Sequence, residues 1–281
     1  MSLEISGKSI DEERALYGVD GAVITDCIFD GPADGESALK ESRNVSAEKC
    51  VFSLRYPFWH VTSAQITDCD LTENCRAALW YCDGIEIFNS RLNGIKALRE
   101  SRNIYLENCE VSSPELLWKC SSVSVEGGSI ESEYPFFECE NIDATNMRLK
   151  GKYSFQYVKN AELDSCTFET KDAFWHSKNV TVRDSVIKGE YLGWYSENLK
   201  LIRCHIVGTQ PLCYCKNLTL EECTMENADL AFERSAVNAW IHGNIDSVKN
   251  PERGSIKADS IGEIILEKEY CDPMLTKISV K

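Results

Sequence analysis

Read for its apolar positions alone, the chain repeats one short phrase. Segments of the form apolar-x-apolar-x-x-Cys-x-apolar occur as Val45-x-Ala47-x-x-Cys50-x-Phe52, Ile104-x-Leu106-x-x-Cys109-x-Val111, Ala161-x-Leu163-x-x-Cys166-x-Phe168 and Leu218-x-Leu220-x-x-Cys223-x-Met225. Weaker rows keep the pattern and replace the thiol with another small or apolar group. The marked positions are Cys27, Cys50, Cys69, Ser90, Cys109, Gly128, Met147, Cys166, Ser185, Cys204, Cys223 and Asn244. Their intervals are 23, 19 and 21, then seven of 19, then 21. A fixed period of this length is the mark of a stacked repeat.

The rest of each unit aligns with it. A turn residue precedes each strand: Asn44, Ser63, Gly84, Asn103, Ser122, Asn141, Asn160, Asn179, Asn198, Asn217 and Ala236. Asn and Gly tolerate a left-handed backbone, and Asn can bond its stacked neighbour. Before that turn comes a second short apolar piece, as in Ala78-Leu79-Trp80-Tyr81 and Ala173-Phe174-Trp175-His176. No helical period of useful length appears. The expectation is an all-β fold: a single-stranded parallel β-helix, or β-solenoid, of about 12 coils of about 19 residues. Residues 1–281 form one domain in this reading, with an N-terminal cap over 1–21, coils over 22–247 and a C-terminal cap over 248–281. The leucine-rich repeat is the competing template. It places its Asn at the mark itself and a helix in the other half of the unit. Here the Asn column precedes the strand, and the other half is aromatic and β-like.

Composition then narrows the class. Hydrophobic residues make up 43% of the 281, enough for a packed core, and the net charge is −15. So acidic a chain has no general attraction for nucleic-acid phosphate or an anionic membrane. No apolar run approaches the roughly 18 residues of a membrane-spanning helix. Met1 to Gly18 are charged and lack an apolar leader core, so a cytoplasmic protein is expected. The 14 cysteines then read as reduced thiols. Seven occupy the mark column, and Cys82, Cys120, Cys139 and Cys215 share a column just before the Asn turn. A buried thiol packs as a small hydrophobe, and stacked neighbours lie beyond disulfide range. Cys213 and Cys215 form the one Cys-x-Cys, with no second Cys/His pair at ligand spacing. Neither a metal nor a cofactor is expected.

Several phrases carry a resemblance. They are Gly35-Glu36-Ser37-Ala38-Leu39-Lys40, Lys152-Tyr153-Ser154-Phe155-Gln156-Tyr157, Thr170-Lys171-Asp172-Ala173-Phe174-Trp175, Gly189-Glu190-Tyr191-Leu192-Gly193-Trp194 and Gly208-Thr209-Gln210-Pro211-Leu212-Cys213-Tyr214. From about Glu12 to Leu266 the chain resembles a bacterial family catalogued as a domain of unknown function. The resemblance implies a right-handed β-helix of the pectin-lyase-like kind and implies no activity.

Candidate chemistry lies in columns. One column reads Lys40, Trp59, Trp80, Arg99, Trp118, Phe137, Gln156, Trp175, Trp194, Cys213 and Phe232. It holds five of the 6 tryptophans. The next holds His60, Tyr81, Tyr157, His176, Tyr195 and Tyr214. Such a face could bind an oligosaccharide or polysaccharide, with Trp175, Trp194, Tyr157, Tyr195, Lys152 and Lys171 as substrate contacts. Glycoside cleavage needs two carboxylates, one of them as acid. Asp172 and Glu190 sit one coil apart, and His176 is a candidate base. Lyase or glycoside hydrolase chemistry through these three is the catalytic reading. The alternatives remain open: aromatics packed as a ridge, carboxylates as surface ion pairs, and a non-catalytic scaffold or protein-binding solenoid. His205 and His242 lack acidic company in the sequence and receive no role. The phrase Ala38-Leu39-Lys40-Glu41-Ser42-Arg43-Asn44 recurs as Ala97-Leu98-Arg99-Glu100-Ser101-Arg102-Asn103, and reads either as an anion clamp or as a charge ladder. The Asn-Thr-Asp, Asp-Asp and Gly-His-Gly motifs of polygalacturonase-like enzymes are absent.

Overall fold

A computed structural model gives the structure of residues 2–31 and 37–281. Met1 of the expected N-terminal cap and Gly35-Glu36 of the first quoted phrase lie outside the described residues. Every regular element among the described residues is a strand. The chain is a parallel β-solenoid of about 14 turns of about 19 residues, and it divides into two compact units, Met1–Asp143 and Ala144–Lys281.

In the first unit the longest strands stack in parallel register. Ala22 pairs with Val45, Val45 with Ala64, Ala64 with Ile85, Ile85 with Ile104 and Ile104 with Val123. In the second unit Ala161 pairs with Val180 and Val180 with Leu199. Leu201 then pairs with Leu220, Leu220 with Ala239, Ala239 with Ile256 and Ile256 with Ile278. The marked spacing is thus the coil length. The turn count exceeds 12 because the terminal stretches also form strands. Leu3–Ser6 pairs with Asp20–Thr25, and Thr276–Val280 pairs with Arg253–Ala258. The last mark needs correction. Cys223 lies beside Ile241, not Asn244, because the turn after Leu220 is dropped in the following coil.

The turn column follows the sequence reading. Asn44, Asn103, Asn141, Asn160, Asn179, Asn198 and Asn217 all have φ between 54° and 60°, the left-handed region that Asn tolerates. In the second unit their amides form a ladder. Asn179 Nδ2 donates to Asn160 Oδ1 at 3.0 Å, and Asn198 and Asn217 each donate to the preceding Asn at 2.8 Å. In the first unit the recurring Arg-Asn phrase grips a carboxylate one coil earlier. Arg43 and Asn44 hold Asp20 at 2.9 and 2.8 Å. Arg102 and Asn103 hold Asp83 at 2.8 and 2.7 Å. This is the charge ladder rather than the anion clamp, with Asp as the partner of Arg43 and Arg102.

The marked cysteines point inward. All seven are buried and free, as are the four of the second column. Their thiols donate along the stack; Cys204 Sγ, for example, reaches Val182 O one coil back at 3.4 Å. Burial pushes the Cys75 and Cys82 thiols up to about 12, so they stay protonated and unreactive at neutral pH. Phenylalanines fill the wider interior. Phe29 stacks on Phe52 at 4.8 Å, and Phe155 on Phe174 at 5.1 Å.

Candidate functional site

The aromatic column of the second unit stands at a tight arch. Tyr157, His176, Tyr195 and Tyr214 have φ of 58°, 54°, 60° and 60°. Two residues on comes a charged residue, and the next is the ladder Asn. Between the aromatic and charged positions lies one buried small residue: Val158, Ser177, Ser196 or Cys215. The left-handed turn is common to every coil, Glu100 and Lys119 included. The architecture therefore fixes the backbone, and the residue types carry the chemistry.

Those types build a groove of about 460 Å³. Tyr157, His176, Tyr195 and Tyr214 border one side, and Lys159, Lys178, Glu197 and Lys216 the other. The rings stack face to face. Tyr157 and His176 lie 5.1 Å apart at 6°, His176 and Tyr195 5.0 Å at 8°, and Tyr195 and Tyr214 4.9 Å at 14°. Rings so stacked cover one another's faces and turn their edges outward. A ring edge carries the positive side of the quadrupole, and here it also carries phenol hydroxyls and an imidazole. The groove is thus suited to hydrogen bonding along the coil axis. On the charged side, Lys178 Nζ pairs with Glu197 Oε2 at 3.1 Å.

The tryptophans are a ridge beside this groove, not its lining. Trp175 and Trp194 stack at 5.7 Å and 4°. Their indole N–H groups donate to Tyr191 O at 3.0 Å and Gln210 O at 2.8 Å. Both rings are half-buried, with their donors already satisfied. The first unit caps the same column with cations: Lys40 Nζ sits 4.2 Å from the Trp59 ring centre, and Arg99 lies between Trp80 and Trp118 at 5.7 and 5.3 Å.

Asp172 and Glu190 also stand outside the groove lining. Asp172 is 6% exposed, and its Oδ1 has no hydrogen-bond partner. Burial raises its pKa; Lys171 and Lys152 pull it back, and Glu190 pushes it up. Glu190 is exposed and pairs with Lys171 Nζ at 3.2 Å. Lys171 also lies 5.2 Å from the Tyr191 ring, and Lys152 4.8 Å from that of Tyr153.

The raised pKa of Asp172 gives a signed prediction. The folded state holds the Asp172 proton more tightly than the unfolded chain does. Its penalty is therefore absent in acid and grows as pH rises through the carboxylate range toward the raised value. Asp172→Asn removes that penalty. Its melting temperature is expected to exceed the parent's at neutral pH and to converge with it in acid. Thermal melts across that range check this, and a variant less stable at neutral pH would contradict it.

The family now follows. Residues 3–279 match the family described as "Protein of unknown function (DUF3737)". The chain belongs to the DUF3737 family. No curated protein matches it. Among solved structures it is similar to PfbA, a surface adhesin of Streptococcus pneumoniae, at 10% identity over 82% of this chain and 72% of that one, with a TM-score of 0.41. It is also similar to the A-module of the Azotobacter vinelandii mannuronan C-5 epimerase AlgE4, at 10% identity over 100% and 89%, TM-score 0.34. A third is the catalytic domain of a GH87 α-1,3-glucanase, at 8% identity over 99% and 63%, TM-score 0.32. The site of this DUF3737 member rests on its own geometry.

Of the residues singled out from sequence, the groove gathers Tyr157, His176 and Tyr195. Trp175, Trp194, Asp172, Glu190, Lys152 and Lys171 do not line it. Sequence reasoning missed Lys159, Lys178, Glu197 and Lys216, although the dipeptides Lys159-Asn160, Lys178-Asn179 and Lys216-Asn217 recur in register with the Asn turn. His205 is a correction. Its Nδ1 lies 2.8 Å from Thr224 Oγ1 and its Nε2 3.4 Å from Glu226 Oε2. The acidic partner sits one coil on, where a linear reading does not look.

Proposed function

We propose that this protein binds a linear saccharide chain along the groove of the second unit. The observation that carries the reading is the groove itself: four aromatic edges in register, about 5 Å apart, bordered by a row of charged side chains. An extended pyranose chain offers hydroxyls at a comparable repeat. Phenol hydroxyls and the His176 imidazole can donate to or accept from them, and the lysines bond hydroxyl or acidic oxygens. Each contact is modest alone, so affinity comes from several coils acting together.

Cleavage is a further reading, and it requires the chain to reach beyond the groove lining to Asp172. Asp172, whose burial favours its protonated form, is then the acid a glycosidic oxygen would need, with Glu190 and His176 as base candidates. The alternative is a protein-binding scaffold, favoured by the one feature that weighs against sugar stacking: the ring faces are covered by their neighbours.

Affinity electrophoresis through gels holding soluble polysaccharides separates these readings. Retardation by at least one polysaccharide is expected, and Tyr195→Ala should weaken it by about tenfold, or ~1.4 kcal/mol. Asp172→Asn and Glu190→Gln should retain binding, and loss of turnover in either would assign it to cleavage. Retardation by none of the polysaccharides would sink the saccharide reading in favour of the scaffold.

A further inference from the structure

A second depression lies on the outer face of the long strands, away from the aromatic ladder. It measures about 410 Å³, and Trp240, Asn238, Thr219, Glu221, Ser255 and Lys257 contribute to its walls. Trp240 is the sixth tryptophan, outside the ridge column, and it is 40% exposed. A register shift between the strands falls here. Leu220 pairs with Ala239 and Cys223 with Ile241, so two residues, Glu221 and Glu222, oppose the single Trp240. Bulges re-aim side chains and occur disproportionately beside functional sites.

The groups around the indole are complementary to one kind of molecule. Lys257 pairs with Trp240 in register, and its Nζ lies 5.6 Å from the ring centre. Among the described residues no carboxylate pairs with Lys257, although the protein carries a net charge of −15. The neighbouring carboxylate, Glu221, is held by Lys200 Nζ at 2.7 Å. Asn238 accepts from Ser255 Oγ at 3.0 Å, which leaves its amide N–H groups available. The depression thus joins a flat exposed aromatic, an ammonium that no carboxylate holds among the described residues, an amide donor and two hydroxyls. An apolar ring face, a negative charge and several hydroxyls meet in one ligand class.

We propose that this depression is a subsite for an acidic pyranose, a hexuronate unit. Its ring packs against Trp240, its carboxylate pairs with Lys257, and its hydroxyls bond Asn238 and Thr219. Stacking on an aromatic and a charge-assisted hydrogen bond supply affinity and selectivity respectively. The subsite is independent of the ladder groove and can be occupied when the groove is empty.

The test uses the full chain labelled with 15N at the indole nitrogens. Trp240→Phe assigns the Trp240 signal among the 6 tryptophans. Triglucuronate and trigalacturonate are titrated as probes, with cellotriose as the neutral control. At least one acidic probe is expected to shift the Trp240 signal saturably. Lys257→Met should weaken that binding about tenfold, the range of a lost charged hydrogen bond. Tyr195→Ala, in the ladder groove, should leave it unchanged. No shift with either acidic probe up to about 10 mM, beyond the millimolar range of a weak site, overturns the proposal. So does an equal shift with cellotriose, or full affinity in Lys257→Met.

Discussion

Phe174→Ala is expected to destabilise the second unit by about 3–5 kcal/mol, the range for deleting a fully buried aromatic. Phe174 has no exposed surface. It stacks on Phe155 at 5.1 Å and 18° and meets Phe168 edge-on at 6.2 Å and 86°. The backbone around it is fixed by hydrogen bonds to both neighbouring coils and within its own turn: Phe174 N donates to Ser154 O at 3.0 Å, Gly193 N to Ala173 O at 2.8 Å, and Ser177 N to Phe174 O at 3.2 Å. The surroundings cannot collapse into the space left, so the cavity term is retained. In a solenoid each coil contacts only its neighbours. Hydrogen exchange should therefore rise first in the coils that hold Phe155 and Leu192. A loss below about 1 kcal/mol would mean that the interior is not packed as described.

Gly189→Ala is expected to cost about 3 kcal/mol, through backbone rather than core. Gly189 has φ of +156°, and a Cβ there would lie 1.3 Å from Thr170 O. The obstacle is main chain of the preceding coil, so no side-chain rotation relieves it. Relief requires the coils to part, at the expense of the bond from Thr170 N to Lys188 O at 2.7 Å. Gly243 is the control. Its φ is +82°, yet nothing lies within 4 Å of a Cβ built there. Gly243→Ala should cost only the left-handed strain, about 1–2 kcal/mol. Chemical denaturation of both variants compares them, and equal losses would contradict the close approach at Gly189.

The architecture was legible because its signal is periodic. The Asn turn, the inward cysteines and the 19-residue spacing each recur along the chain, and the strand register follows them. Legibility ended where the period changes. The dropped turn after Leu220 moved the partner of Cys223 from Asn244 to Ile241, and the Trp240 depression lies at the same irregularity. The candidate site was half legible. Tyr157, His176 and Tyr195 form a column in the sequence and a ladder in space. Their lysine and glutamate companions lie two residues on, across a buried position, and a search by residue type within one column passes over them. Whether Trp175 and Trp194 face in or out could not be read from alternation, because the columns beside them are also apolar. The indole hydrogen bonds to Tyr191 and Gln210 place them on a half-buried ridge. Asp172 looked like half of a carboxylate pair. In space Glu190 pairs with Lys171, and Asp172 is buried with its Oδ1 unpartnered.

The most direct test of the groove is the imidazole of His176, one of 4 histidines in the chain and the one stacked between Tyr157 and Tyr195. Its ring carbon–proton signal, assigned by His176→Gln, is followed by NMR while oligosaccharides are added. The account predicts that a saccharide retained by the protein moves this signal along the same saturation curve, and that Tyr195→Ala weakens both together. Saccharide binding that leaves the His176 signal unmoved would contradict it.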